Sequence, residues 1–136
     1  MTLKISDLSV GDWVECEGLH HPITFVGYGE GGDGSLVNLI RPDLSCFSCK
    51  ISDIHPIPIT AEILEKNGFG KKTFTQDQLL RIVEPNGSRP FICYRWDSRR
   101  VIIERCNDYM LRVKAEYIHQ LQHALRIAGV EKEINL

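Results

Sequence analysis

The 136-residue sequence lacks the features of a membrane or secreted protein. No run of apolar residues approaches the length of about 18 residues that a membrane-spanning helix requires. Residues 1–7 lack the basic start and the apolar core of a signal peptide. We therefore expect no membrane association and a cytoplasmic location.

Extremes of composition are also missing. The net charge is only −2, and 43% of the residues are apolar, which excludes a disordered tail. The 11 Gly and 6 Pro residues have no period, which excludes a collagen-like chain.

The charge is nevertheless unevenly distributed along the chain. Residues 1–60 hold 3 bases and 8 acids, a balance of −5, whereas residues 61–136 hold 13 bases and 10 acids, a balance of +3. This shift predicts two structural units.

Cysteine occurs an odd number of times, five, and nothing in the sequence indicates secretion. We therefore expect reduced thiols and no disulfide framework. Cys46 and Cys49 have the spacing of a zinc knuckle, but no second Cys-x-x-Cys pair supplies the other two ligands of a tetrahedral site. Cys16, His20 and His21 would have to complete it. The competing interpretation is that the cysteines pack as small apolar residues, and we expect no bound metal.

Short strands separated by turns dominate residues 1–58. The predicted strands begin near Trp13, Ile23, Leu36 and Cys46. Strands of this length with frequent turn signals predict a small barrel or a rolled sheet. Residues 54–59 are stiffened by two prolines, and we expect this segment to be a docked connector rather than a loose linker.

Residues 59–136 predict a helix, an antiparallel meander and a closing helix. Thr60 is a suitable N-cap for the first helix, and Asn67-Gly68 ends it. The predicted strands cover residues 79–84, 91–96, 101–106 and 109–114. Asn86-Gly87 is a strong hairpin signal between the first two. The closing helix, over about residues 116–128, is predicted from an apolar stripe that consists of Ile118, Leu121, Leu125 and Ala128.

No catalytic or cofactor motif is recognisable. The sequence has no Gly-x-Ser-x-Gly elbow and no family-type cysteine motif. The glycine-rich residues 29–34 include two acids and lie between strands, which indicates a hairpin loop rather than a phosphate site. His119 and His123 lie one helical turn apart, but Gln120 stands where a metalloprotease needs glutamate, and a third ligand is missing. We therefore expect two half-exposed histidines on the side of the helix away from its apolar stripe. We expect no cofactor and no enzymatic activity. The alternative is a small enzyme that uses Cys and His residues.

Basic and aromatic residues gather around one predicted turn. They are Tyr94, Arg95, Trp96, Arg99, Arg100 and Arg105. Arg81, Arg112 and Lys114 extend the group on neighbouring strands. Aromatic rings beside cations bind single-stranded nucleic acid, although arginines suit an acidic protein surface equally well. The competing interpretation is a solvated sheet face, with Trp96 covering the edge of the core.

Three segments of the chain carry a resemblance. Residues 8–14 are similar to the L-x-x-G-x-x-V start of small SH3-like barrels. Residues 54–69 are similar to an I-x-P-I-P-L-T joint followed by an acid, I-L and G-F. Residues 117–122 are similar to a Y-V-H-Q-L-Q helix start. The sequence thus resembles a family of small, uncharacterised proteins of bacterial prophages and other mobile elements.

The resemblance implies an SH3-like first unit and an α+β second unit. It also implies that His119 and Gln120 belong to a shared element, either structural or functional. The family pattern usually has Asn at the position of His123, and the cysteines are not part of it. Both departures weaken the metal interpretations, and the resemblance implies no activity.

We therefore predict an α+β protein with an SH3-like small β-barrel over residues 1–58 and an α+β unit over residues 59–136. We hypothesise a non-enzymatic interaction protein of a mobile element, which binds protein or nucleic acid through its loops. The candidate binding residues are Trp96, Arg95, Arg99, Arg100, Tyr94, His119 and Gln120. The alternative is a zinc-stabilised module for single-stranded nucleic acid, with Cys46, Cys49, Cys16 and His20 as ligands.

Overall fold

The structure, a computed structural model, describes residues 2–28, 35–71, 75–105 and 109–136. Within these residues it contains two antiparallel five-stranded sheets and two α-helices, which confirms the predicted α+β class. The chain divides into two compact units, Met1–Ile57 and Pro58–Leu136, each built around one sheet. Among the described residues, no helix is long and apolar enough to cross a membrane.

The first unit is a curled sheet that resembles half a barrel. Its strands are β1 (Trp13–Cys16), β2 (Leu19–Tyr28), β3 (Ser35–Ile40), β4 (Cys46–Lys50) and β5 (Ile54–His55). Their order in the sheet is β4-β3-β2-β1-β5. The buried core comprises Leu3, Leu8, Val14, Cys16, Ile23, Val37, Leu39, Cys49 and Ile54.

The turn between β1 and β2 explains why β2 begins earlier than predicted. Glu17 and Gly18 both have positive φ angles, 55° and 77°. Two consecutive residues of this kind characterise the type I′ turn, whose twist matches that of paired strands. Cys16 therefore pairs directly with Leu19, and β2 starts four residues before the predicted Ile23. Further along β2, the register shifts between Ile23 and Phe25, and such irregularities bend a strand.

The second unit contains a five-stranded meander. One helix precedes the meander in the chain and another follows it. The elements are α1 (Ala61–Lys66), β6 (Phe69–Lys71), β7 (Gln78–Leu80), β8 (Phe91–Arg95), β9 (Arg100–Arg105), β10 (Tyr109–Lys114) and α2 (Ile118–Ile127). Their order in the sheet is β10-β9-β8-β7-β6. The sequence did not reveal β6, a short strand at one edge of this sheet.

Side chains at the helix ends set the helix boundaries. The Thr60 hydroxyl accepts a hydrogen bond from the Ile63 N–H (3.2 Å), as predicted for an N-cap. Helix α2 begins at Ile118, two residues later than expected. The Gln120 Oε1 accepts hydrogen bonds from the N–H groups of Glu116 (2.8 Å) and Tyr117 (3.2 Å). These bonds satisfy donors before the first turn and hold Tyr117 extended as the N-cap.

The hairpin between β7 and β8 is shorter than predicted. The Asn86-Gly87 turn forms, with the Gly87 N–H donating to the Glu84 carbonyl (2.8 Å). Pairing nevertheless stops at Leu80 opposite Ile92. Pro90 has no N–H to donate to the ladder, so the arms lose their pairing beyond Leu80 and are joined again only at the turn, where the Glu84 N–H donates to the Ser88 carbonyl (2.8 Å). The Glu84 carboxylate pairs with Arg105 (2.7 Å).

One face of the second sheet is buried beneath α2. Ile92 and Tyr94 on β8, and Val101 and Ile103 on β9, are at most 1% exposed. Because side chains alternate along a strand, Arg105 shares this face with Ile103. Its guanidinium donates to the carbonyls of Ala128 (2.7 Å) and Gly129 (2.9 Å) just beyond α2, which places the helix over this face.

Candidate functional site

The opposite face of the same sheet carries a row of cations. In the strand register, Arg95 lies opposite Arg100, and Arg100 lies opposite Lys114. Arg112 precedes Lys114 by two residues and therefore shares its face. All four side chains are exposed or half-exposed. We call Arg95, Arg100, Arg112 and Lys114 the basic face.

Nearby acids neutralise this face only in part. Arg95 has Asp97 at 3.4 Å and Asp77 at 3.8 Å, and Lys114 has Glu116 at 3.1 Å. Within the described part of the chain, Arg100 and Arg112 form no ion pair. Like charges directly opposite each other destabilise a sheet, so the row Arg95–Arg100–Lys114 is unfavourable for folding alone.

The two predicted aromatic residues do not lie on the basic face. Tyr94 is fully buried, and its hydroxyl donates to the Ala115 carbonyl (2.6 Å). Burial raises the pKa of Tyr94 to about 12, with nearby Arg99 lowering it and Glu116 raising it. Trp96 is half-buried, contacts the Tyr94 ring edge-on at 4.8 Å, and donates from Nε1 to the Gln78 Oε1 (2.9 Å). The predicted aromatic and cationic group is thus divided between the two faces of the sheet.

Two further arginines of the predicted group have different positions. Arg99 is exposed in the β8–β9 turn, where φ is 50° and its carbonyl accepts from the Ala115 N–H (2.8 Å). Arg105 points to the end of α2 and pairs with Glu84. Cations near a helix C-terminus satisfy free carbonyls, so we assign Arg105 a structural role at the end of α2.

His119 and Gln120 also make structural contacts within the second unit. His119 is 1% exposed, with the Tyr117 ring at 6.1 Å and the His123 ring at 5.8 Å. We had expected both histidines to be half-exposed, and for His119 this was wrong. Gln120 caps α2 through the hydrogen bonds described above.

The expectation of reduced thiols is wrong for two of the cysteines. Cys16 and Cys49 are joined by a disulfide within the first unit. Cys46 lies three residues from Cys49 on β4, so the two side chains point to opposite faces, and Cys46 is exposed whereas Cys49 is buried. The Cys-x-x-Cys spacing therefore cannot direct both thiolates at one ion.

The remaining metal candidates do not complete a site. His20 is exposed, and His21 is buried edge-on against the Phe47 ring at 5.0 Å. Among residues 2–28, 35–71, 75–105 and 109–136, no group of three His, Cys, Asp or Glu side chains could hold a metal ion. The predicted loop at residues 29–34 and Cys106 lie outside the described residues.

Sequence reasoning missed two apolar residues beside the basic face. Phe91 and Met110 both lie opposite Glu104 on β9, and they are 39% and 56% exposed. By alternation, Phe91 shares the face of Arg95, and Met110 shares the face of Arg112. Strict alternation along residues 91–95 and 110–114 was the signal that could have identified them.

None of the family models, curated proteins and solved structures that we compared with this chain matches it.

Proposed function

We propose that this protein is a non-enzymatic interaction module that binds single-stranded nucleic acid on its basic face. The row Arg95–Arg100–Lys114 is the observation that carries the proposal. Arg95 and Lys114 have carboxylates nearby, but Arg100 between them has none among the described residues, so a polyanion would relieve the repulsion that remains in the row. Arg112, which forms no ion pair among the described residues, continues the positive surface along β10.

The apolar residues beside these cations favour single strands as the ligand. Phe91 and Met110 are exposed on the face that carries the arginines. Single-stranded nucleic acid exposes its bases for stacking while its phosphates contact cations, and a sheet surface with both residue types serves both needs. An acidic protein surface would use the cations but has less need of an exposed ring.

We further propose that the first unit is an SH3-like barrel and that the protein belongs to a bacterial mobile element. Five short strands in a curled sheet and the L-x-x-G-x-x-V start support the barrel. The resemblance at residues 54–69 and 117–122 supports the origin. None of these features bears on the partner, which we infer from the basic face.

Fluorescence anisotropy with a labelled oligothymidylate tests the binding proposal. We expect binding that weakens steeply with salt, because each phosphate contact contributes a slope of about −0.7 to the dependence of log K on log salt for single strands. Arg100→Gln and Arg112→Gln should each weaken binding and reduce that slope. Lys66→Gln, at an exposed cation in the last turn of α1, is the matched control.

Two results would overturn the proposal. One is no binding of the oligonucleotide at low salt. The other is equal loss of affinity in Lys66→Gln and in the two arginine variants, which would indicate a nonspecific charge effect. Displacement of the oligonucleotide by polyglutamate at equal charge concentration would instead assign the face to acidic proteins.

A further inference from the structure

The separated arms of the β7–β8 hairpin enclose a groove. Strand pairing ends at Leu80 opposite Ile92, and the arms are hydrogen-bonded to each other again only at the Asn86-Gly87 turn, where the Glu84 N–H donates to the Ser88 carbonyl (2.8 Å). A cavity of about 400 Å³ lies between them. Its lining consists of Leu79, Leu80, Arg81, Ile82, Val83, Arg89, Pro90, Phe91 and Ile92.

The lining combines exposed apolar surface with two cations. Val83 is 61% exposed and Phe91 is 39% exposed, although both residues are apolar. Arg81 and Arg89 are also exposed, and no described residue forms an ion pair with either of them. The groove therefore suits a ligand that carries both a flat apolar group and negative charge.

The groove adjoins the basic face. Phe91 and Arg95 lie four residues apart on β8 and share one face, which corresponds to about 13 Å along the strand. Both ends of this stretch of β8 have cations beside them. Arg81 and Arg89 line the groove near Phe91, and Arg100 lies opposite Arg95 near the turn. A short single strand of nucleic acid would contact both.

We propose that this groove binds one base of a single-stranded nucleic acid, with Phe91 as its stacking platform and with Arg81 and Arg89 on the adjacent phosphates. This inference rests on the proposed function and names the part of the surface that contacts a base. Apart from the two arginines, the lining side chains are apolar, so they contact the face of a base rather than its hydrogen-bonding edges. We therefore expect little preference among base sequences.

Variants of Phe91 test the stacking role. Phe91→Ala and Phe91→Leu should each weaken oligonucleotide binding roughly tenfold, since both remove the aromatic ring on which a base stacks. Phe91→Trp should retain binding, because the larger ring still stacks. Tyr109→Ala is the matched control, because Tyr109 has the same exposed fraction, 39%, but by alternation points to the other face of β10.

An abasic oligonucleotide separates stacking from charge. It carries the same phosphates without bases, so the wild-type chain should bind it as weakly as Phe91→Ala binds the complete oligonucleotide. Arg89→Gln should reduce the salt dependence for both probes, because it removes a phosphate contact. Thermal unfolding of each variant confirms that the second unit is folded.

The outcomes distinguish this inference from the proposed function. If the wild-type chain binds the complete and abasic probes equally, or if Phe91→Ala binds like Tyr109→Ala, the base-binding groove is overturned while the basic face stands. If the wild-type chain binds neither probe at low salt, both proposals are overturned.

Discussion

Cys16 on β1 and Cys49 on β4 are bonded to each other although β2 and β3 lie between their strands in the sheet. Their Cα atoms are 7.4 Å apart, about half the roughly 14 Å that three strand spacings give in a flat sheet. The curl of the sheet therefore brings them together, and the bond links its two sides.

This bond predicts which cysteines react as thiols in the oxidised protein. Alkylation of the denatured, unreduced chain should modify Cys46 and Cys93 and spare Cys16 and Cys49, whereas alkylation after reduction should modify all four. Mass spectrometry of the peptides locates the adducts. Modification of all four without a reductant, in protein purified without one, would contradict the bond.

Reduction should also destabilise the first unit. The bond closes a loop with a sequence separation of 33, for which the chain-entropy relation gives about 3–4 kcal/mol. We expect Cys49→Ser to lower the free energy of unfolding in urea by a comparable amount. Cys46→Ser on the same strand is the control and should have little effect, because Cys46 is exposed.

The raised pKa of Tyr94 predicts that the protein loses stability in alkali. Its pKa rises from 10.0 to about 12 because the ring is buried. The unfolded chain loses this proton at lower pH than the folded chain does. The stabilisation is therefore complete below pH 10 and is lost as the pH rises through about 12. Urea unfolding across this range should show the decline.

Tyr94→Phe should remove this part of the pH dependence. At neutral pH the variant should be about 1–3 kcal/mol less stable, because the Ala115 carbonyl loses its donor. Tyr109→Phe, at an exposed ring on β10, should retain the wild-type profile. An unchanged alkaline profile in Tyr94→Phe would contradict the assignment.

Asn67 should be a major determinant of stability in the second unit. Its side chain donates to the carbonyls of Ile63 (2.9 Å) and Asn135 (2.8 Å) and accepts from the Asn135 N–H (2.8 Å). Asn67→Ala removes three hydrogen bonds of a side chain that is only 3% exposed, and we expect a loss of about 1–3 kcal/mol in urea unfolding.

Asn135→Ala is a sharp control for this prediction. Asn135 takes part through its backbone N–H and C=O, which alanine retains. The free energy of unfolding of Asn135→Ala should therefore match that of the wild-type chain. Equal destabilisation by the two variants would show that the Asn67 side chain has no special role.

The basic face predicts that binding and stability oppose each other at Arg100. Arg100 lies between Arg95 and Lys114, so Arg100→Gln should raise the free energy of unfolding at low salt by about 0.2–1 kcal/mol while weakening nucleic-acid binding. Arg112 lies opposite Ile102, without a cation directly across, so Arg112→Gln should weaken binding and leave stability unchanged. A loss of stability in Arg100→Gln would contradict the repulsion within the row.

Local patterns predicted much of the secondary structure. The Thr60 cap, the Asn86-Gly87 turn and the apolar stripe of α2 depend on neighbouring residues, and all three occur in the structure. Alternation also predicted the meander, apart from the short β6. The candidate site was predicted only in part: Arg95, Arg100 and Lys114 share an exposed face, but Tyr94 and Trp96 belong to the buried side.

The sequence by itself determined the α+β class, the excess of bases after residue 60 and most element boundaries, because these follow from side-chain type and local spacing. Only the tertiary structure decided the contacts between distant residues. The curl of the first sheet brings Cys16 to Cys49, and the pairing of Glu84 with Arg105 accompanies the opening of the β7–β8 hairpin. Such contacts depend on sheet curvature and on partners far along the chain, which no local pattern specifies.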